Sequence, residues 1–338
     1  MQRTPTLRDV ATLAGVAPSV VSRLLNGDPT LKIRDETRSR ILSAREDLGY
    51  TPNAAAQSLR SPRGHAVAVI AHGIVSPVYA GIIRGCQIAA SRRGHGLFVG
   101  EAEEINAAPE RLLGLLRGDL IDGLILQGLG TKADQSLRES VVGKTPLVVL
   151  QDEPAEGYAT VCLPDRQAGR LATSHLADLG HRNIACITTA RGTRHARDRS
   201  AGWRQEMHTR GLEAPNGRLG WAGSSPADGY AAFSRLLKKG ERPTAVVVSN
   251  AMAAVGVMAA AQDAGIVIPR DLSIVAIHDL ELADFLRPAL TTVRMPLEAL
   301  GQRAVELVLG GDVGGEVIIN SPAPELVIRG STGPALDL

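Results

Sequence analysis

The chain of 338 residues lacks any apolar run long enough to cross a bilayer. Its longest runs, such as residues 66–71 and 245–248, are strand-length, against the roughly 20 residues that a spanning helix needs. No apolar segment follows the opening Met-Gln-Arg-Thr-Pro-Thr, so a secretory leader is not expected and a cytoplasmic location is. Cysteine is scarce. Cys86, Cys162 and Cys186 are odd in number, far apart and set among apolar neighbours, which excludes a disulfide frame or a zinc site and points to core thiols. Catalytic signatures are missing too. There is no G-x-x-x-x-G-K-[ST], no G-x-S-x-G and no H-E-x-x-H, and Gly128-Leu129-Gly130 lacks the third glycine of a dinucleotide fingerprint. The eight histidines are scattered without metal-ligand spacing. His181, after Leu179-Gly180, reads as a structural residue at a helix end, where a cation suits the dipole. Neither an enzyme nor a cofactor or metal protein is expected.

What is present is an asymmetry. The net charge is +2, yet the first 65 residues hold ten Lys/Arg and six Asp/Glu, leaving the remainder slightly acidic. A small basic head on an acidic body fits a polyanion-binding module joined to something else. The head reads as helical. Thr6-Leu7-Arg8-Asp9 has the form of a capping box, followed by Leu7, Val10, Ala11 and Ala14 at helical spacing. Gly15 supplies a tight turn, and Pro18 suits the first turn of a second helix with Val21, Leu24 and Leu25 inward. A third helix is expected from about Asp35 to Leu48, with Ile41, Ala44 and Leu48 inward. Beyond Pro52, Asn53 can cap a very short helix that Ser61-Pro62-Arg63-Gly64 then breaks.

From Ala66 the texture changes. Short unbroken apolar runs (66–71, 97–99, 123–126, 146–150, 184–188, 244–248 and 272–277) alternate with helical stretches (82–93, 168–179, 202–210 and 253–264). This alternation predicts an α/β body of doubly wound parallel sheets covered on both faces. About 270 residues favour two such sheets, with ligand bound in the crevice at the C-terminal ends of the strands.

The segment from Thr6 to Asn26 closely resembles the helix-turn-helix of the lactose-repressor (LacI/GalR) family of transcription factors. Thr37-Arg38, Leu48-Gly49-Tyr50, Pro52-Asn53 and Leu59 continue the pattern, as do Leu171-Ala172-Thr173, Leu179-Gly180-His181-Arg182, Leu290 to Arg294 and Leu326 to Thr332. The resemblance spans the chain. It implies a helix-turn-helix head (1–50), a hinge helix and linker (51–64), and a two-lobed core (65–338) like periplasmic binding proteins. Lobe 1 would comprise about 65–163 and 290–320, and lobe 2 about 164–289 and 321–338.

In such a head the second helix enters the major groove. Pro18, Ser19, Val20 and Arg23 then stand where base edges are read. Arg23 can bond a guanine bidentately and a valine methyl can meet a thymine methyl. Ser22 and Asn26 would contact phosphate. By resemblance, Asn53 opens the hinge helix and Leu59 wedges into the central step of a pseudo-palindromic operator bound by a homodimer. The same matching assigns Tyr79, Thr193, His195, Arg199, Ser224, Asn250 and His278 to effector binding. Three positions depart from the family pattern: His278, Ala251 and Pro164 each replace a usual aspartate. Ala17 and Arg34 also replace usual serine caps. With acceptors lost, Arg199 facing His278 and His195, imidazolium beside guanidinium, points to an acidic molecule such as a sugar acid or sugar phosphate, with a sugar as the alternative. The tail has no leucine heptads and Pro334 interrupts it, so a tetramerising coiled coil is not expected. A homodimer using residues 82–93 is.

The expected function is therefore a sequence-specific DNA-binding repressor whose operator affinity responds to a small-molecule effector. The alternatives are an activator or ligand-independent regulator on the same head, and a solute-binding or sugar-processing protein on the same core.

Overall fold

The computed structural model describes residues 5–25, 28, 30–50, 66–117, 120–128, 131–189, 192–239, 242–311 and 314–336. Two compact units divide at Gly64 and His65. Asn26, Asn53, Leu59 and the whole hinge segment expected at 51–64 lie outside the described residues.

Among its described residues the first unit holds three helices, α1 (Leu7–Ala14), α2 (Pro18–Leu25) and α3 (Asp35–Asp47). The capping box forms as the sequence predicts: the Thr6 side chain accepts from the Asp9 amide, and the Asp9 carboxylate accepts from Thr6 N at 2.7 Å. Gly15 closes α1 at φ 64°, a left-handed geometry that glycine adopts without the Cβ penalty. Arg34 stands before α3 with no side-chain cap, as expected of a residue without a short acceptor. Val10, Ala11, Ala14, Val21, Ile41, Ala44 and Tyr50 form one small core, with Leu24, Leu25 and Leu48 packed on it.

The second unit contains two six-stranded sheets. One is ordered β11-β5-β4-β3-β1-β2, from β1 (Ala66–Ala71), β2 (Gly96–Glu101), β3 (Gly123–Gln127), β4 (Leu147–Leu150), β5 (Ala159–Cys162) and β11 (Glu316–Ile318). The other is ordered β12-β10-β9-β8-β6-β7, from β6 (Ile184–Thr188), β7 (Leu219–Trp221), β8 (Ala245–Val248), β9 (Ser273–Ile277), β10 (Thr291–Arg294) and β12 (Glu325–Val327). The predicted parallel pairing holds except for β12, which runs antiparallel to β10. The placement of residue 290 onward in lobe 1 needs correction. Thr291, Thr292 and Val293 pair with β9, so the chain leaves the second sheet only after Arg294. Apolar strands look alike in either sheet, and only pairing reveals the owner.

Helices α4 (Pro77–Arg92), α5 (Ala102–Ala107), α6 (Pro109–Arg117), α7 (Lys132–Val141) and α12 (Leu297–Gly310) accompany the first sheet. Helices α8 (Asp165–Asp178), α9 (Arg194–Thr209), α10 (Pro226–Leu237) and α11 (Ala251–Asp263) accompany the second. Helix α9 begins well before the expected Gly202. Its inward positions include Arg199, Ser200 and Glu206, so polar residues mask the apolar periodicity there.

Three helix pairs meet at reciprocal glycines. Gly85 of α4 faces the Glu298 carbonyl and Gly301 of α12 faces that of Ile82; Gly169 of α8 faces Arg199 O and Gly202 of α9 faces Arg166 O. In the third pair Gly229 of α10 faces Ala253 O and Gly256 of α11 faces Pro226 O. At each crossing a Cβ would enter the opposing backbone. One face of α4, the helix expected to serve a homodimer, packs on α12 and the sheet, with Ile82, Cys86, Ala89 and Ala90 buried. All three cysteines are buried and free, and burial pushes each thiol up to about 12.

Candidate functional site

A cavity of about 350 Å³ opens in the second unit at the C-terminal ends of both sheets. That is where doubly wound folds place ligands, because side chains following the strands converge there. His72 follows β1, Gln127 ends β3, Gln151 follows β4 and Leu163 follows β5. From the other sheet come Thr189 after β6, Ser224 beyond β7, Asn250 beyond β8 and His278 after β9. All seven residues expected at the effector site line this one cavity: Tyr79, Thr193, His195, Arg199, Ser224, Asn250 and His278.

Among the described residues, two that are not glycine have positive φ, Gln151 at 59° and His278 at 73°. Both line the cavity, each directly after a strand. Such geometry costs a residue with a Cβ on the order of 1–3 kcal/mol and concentrates at functional sites. At Gln151 the surroundings compensate: Gln151 N donates to Val161 O, and its side chain accepts from Leu163 N at 2.6 Å while donating to Asp165 at 2.7 Å. His278 N donates to Val293 O at 2.9 Å.

Arg199 lines the cavity and is only 4% exposed. Its Nε donates to Asp165 Oδ1 at 2.7 Å, its Nη1 to the Ser249 carbonyl, and its Nη2 to His278 Nε2 at 2.9 Å. Asp165, in the first turn of α8, is equally buried. This overturns the expectation of an imidazolium facing Arg199. A guanidinium has no acceptor, so His278 Nε2 must offer its lone pair and the ring is neutral. Burial, Arg199 and His195 together hold the His278 pKa well below its ordinary value. Burial and Arg199 likewise push His195 down to about 3. The cationic trio read from sequence is thus one cation already met by a carboxylate, beside two neutral rings.

The opposite wall carries a second polar cluster. His72 Nδ1 lies 2.9 Å from Glu103 Oε1 and its Nε2 lies 2.7 Å from Asp134 Oδ1. Burial lowers its pKa, but the two carboxylates outweigh this and the net shift is upward. Glu101 accepts from the amides of Gly73 and Ile74, fixing the loop after β1. Burial also keeps the Tyr79 phenol protonated. Apolar side chains of Val78, Ile82, Leu150, Leu163 and Met252 complete the lining.

Asp165, Gln151, Gln127, Thr189 and His72 were not singled out from sequence. Four of them stand at strand ends, so the strand-end rule would have found them. Asp165 carried no signal, because a first-turn aspartate reads as a helix-end charge. His181 is structural as expected, bonded to Thr244, Ser273 and the Gly333 carbonyl, but burial lowers its pKa and it is no helix-end cation. Among the described residues no group of His, Cys, Asp and Glu could hold a metal ion, and no helix is long and apolar enough to cross a membrane.

On α2 of the first unit, Pro18, Ser19 and Arg23 are exposed, Ser22 is half-buried, and Val20 packs partly on the head's core. Arg23 is held in place, with Nε on Asp28 at 2.7 Å and Nη2 on Thr30 at 2.9 Å. Hydrogen bonds from Thr30 and Arg23 bring Asp28 down to about 2. Arg8, Lys32, Arg34, Arg38 and Arg40 are also exposed on this unit.

Residues 6–53 match the model of bacterial regulatory proteins of the lacI family, and residues 173–332 match that of a periplasmic binding protein-like domain. The chain is 32% identical over 307 residues to the ribose operon repressor of Escherichia coli (strain K12), covering 90% of this chain and 92% of that one. It is 30% identical over 335 residues to the HTH-type transcriptional regulator DegA of Bacillus subtilis (strain 168), covering 97% and 98%. Among solved structures, a lac repressor dimer bound to operator and the anti-inducer ONPF has a TM-score of 0.82 at 26% identity, covering 98% of this chain and 100% of that one. A complex of the transcriptional regulator CelR with cellobiose has a TM-score of 0.71 at 27% identity, covering 97% and 99%.

Proposed function

The chain belongs to the lacI family of bacterial regulatory proteins and is a DNA-binding transcription regulator, and on that premise we propose that it is an effector-responsive repressor. It regulates rather than catalyses, and it acts in the cytoplasm, where its DNA is. The head (1–50) reads each half of a pseudo-palindromic operator through Pro18, Ser19, Val20 and Arg23, with Ser22 and Asn26 on phosphate. Asn53 and Leu59 belong to a hinge (51–64) that engages the minor groove, and two copies of the chain form the reading unit. Tyr79, Thr193, His195, Arg199, Ser224, Asn250 and His278 hold the effector in the core.

The observation that carries this reading is convergence. Seven side chains spread from residue 79 to residue 278, drawn from both sheets, line a single cavity in a chain that also bears a helix-turn-helix. The chain passes between the sheets three times: from β5 to α8, from β10 to α12, and from β11 to β12. Three parallel connections suit a hinge on which the lobes close. A ligand preferring one degree of closure shifts the population of DNA-competent protein by its differential affinity. The bound states of the lac repressor and CelR structures, with operator or sugar, support the assignment.

The test starts from purified full-length protein and a pool of randomised duplexes. Repeated selection is expected to enrich an inverted repeat, bound with a log–log salt slope of about −0.9 per phosphate contacted. Light scattering is expected to give the mass of two chains. Failure to enrich any sequence, or a monomeric mass at saturating DNA, overturns the reading.

A further inference from the structure

Hydrogen bonds fix the identity of two donors among the residues that line the cavity. Asn250 caps α11 with Oδ1 accepting from Ala253 N at 2.7 Å, which leaves its amide Nδ2 as the group still able to donate. His278 accepts from Arg199 through Nε2, so its proton sits on Nδ1. Asn250 Nδ2, His278 Nδ1 and Thr189 Oγ1 are all buried and have no partner, and all three residues line the cavity. Such atoms are rare in folded proteins, because an unmade bond in a dry site is costly. Three around one cavity mark the place of a ligand's complementary atoms.

Two kinds of ligand are disfavoured. An anion would lose its water without meeting a free positive charge. Arg199 is paired with Asp165, His195 and His278 are neutral, and His72 sits between Glu103 and Asp134. A polyol gripped through its hydroxyl protons by a carboxylate, as an aspartate at position 278 would allow, finds no such partner in the wall. Among the described lining residues there is none, since Asp165 lies behind Arg199.

Resting on the reading of this cavity as the effector site, we propose that the effector is a small neutral ring compound whose polar end is a carbonyl, of the lactone or lactam class. Its carbonyl oxygen accepts from Asn250 and His278, and its ring lies against Leu150, Leu163 and Met252. Thr189 can donate or accept and so serves a ring oxygen or a lactam N–H equally. His278 is then the specificity-determining residue: it supplies a donor where an aspartate would supply an acceptor.

The experiment uses calorimetry on the full-length dimer with three probes on each of two carbon skeletons. On the ribonic and galactonic skeletons these are the cyclic carbonyl compound (tested as γ-lactone and, separately, as γ-lactam), the corresponding acid anion, and the parent sugar. On at least one skeleton the lactone or lactam is expected to bind at least about tenfold more tightly than both the anion and the sugar. Asn250→Ser keeps the helix cap, since serine also accepts an N–H, but removes the amide donor; it is expected to erase that preference. His278→Asp is expected to shift preference toward the parent sugar. Tighter binding of an anion or a sugar by the unmodified protein overturns the proposal, as does no lactone or lactam binding up to about 10 mM. The underlying reading fails differently. If any probe still binds after Leu163→Trp fills the cavity, the effector site lies elsewhere, whichever class is preferred.

Discussion

Replacing Gly169 by alanine tests the link between helix packing and the cavity. The added Cβ would enter the Arg199 carbonyl oxygen and lie 3.1 Å from the Arg199 carbonyl carbon, where carbon atoms ordinarily rest about 3.5–4.0 Å apart. The obstacle is backbone, with no flexible side chain to turn aside. Helices α8 and α9 must therefore separate locally by about 1 Å. Overpacking of this kind costs about 1–3 kcal/mol, and a backbone clash belongs at the upper end. Alanine in place of a helical glycine returns about 1 kcal/mol, so a net loss of about 2 kcal/mol is expected. For a unit of this size that lowers the Tm by about 4–8 °C. The separation also carries Arg199 away from Asp165, since the two sit on the two displaced helices. Gly114→Ala is the control, because that glycine is helical and its Cβ would meet nothing within 4 Å. There the propensity gain acts alone, and the Tm is expected to rise by about 1–4 °C. Thermal melts of the three proteins, followed by circular dichroism, decide the matter. A Gly169→Ala protein as stable as the parent, or shifted upward like Gly114→Ala, would refute the reasoning.

Stability should also report the protonation states of the histidines, in the cavity and outside it. His175, His181, His195 and His278 have lowered pKa values through burial, so the folded state resists protons that the unfolded chain accepts. Their contribution is complete above the unfolded value of 6.5 and declines as pH falls below it. His72 is shifted upward, so its contribution is complete below 6.5 and is lost as pH rises through its folded value. Melting temperatures are expected to fall between about pH 7.5 and 5.5, less steeply in His195→Gln and more steeply in His72→Gln; equal slopes in all three would remove the assignments. In the head, Arg23→Ala is expected to weaken the selected operator by about 1–3 kcal/mol and relax one base position per half-site. Asp28→Asn, which frees Arg23 from its ion pair, should leave that preference in place, and anisotropy on single-base operator variants reads both.

Much of this molecule was legible in the linear sequence. Strands β1 and β6 have the bounds that their apolar runs predicted, and the Thr6–Asp9 capping box and the Gly15 turn are purely local devices. The seven cavity residues were placed by matching the family pattern, and the cavity gathers all of them. Local patterning works where a residue's neighbours along the chain decide its environment. It failed where the environment comes from elsewhere. Periodicity missed the start of α9, because the inward-facing Arg199 finds its partners on α8, after β8 and after β9. Strand β10 could not be assigned to a sheet before its pairing with β9 was known. The charge of the site was misread for the same reason. A sequence lists Arg199, His195 and His278 as three basic residues, and only the fold brings Asp165 to 2.7 Å from the guanidinium. Only the fold, too, turns His278 so that its ring accepts from the arginine. Chain order determined which residues are available; burial and pairing across the two sheets decided which of them carry charge, and so what the cavity can hold.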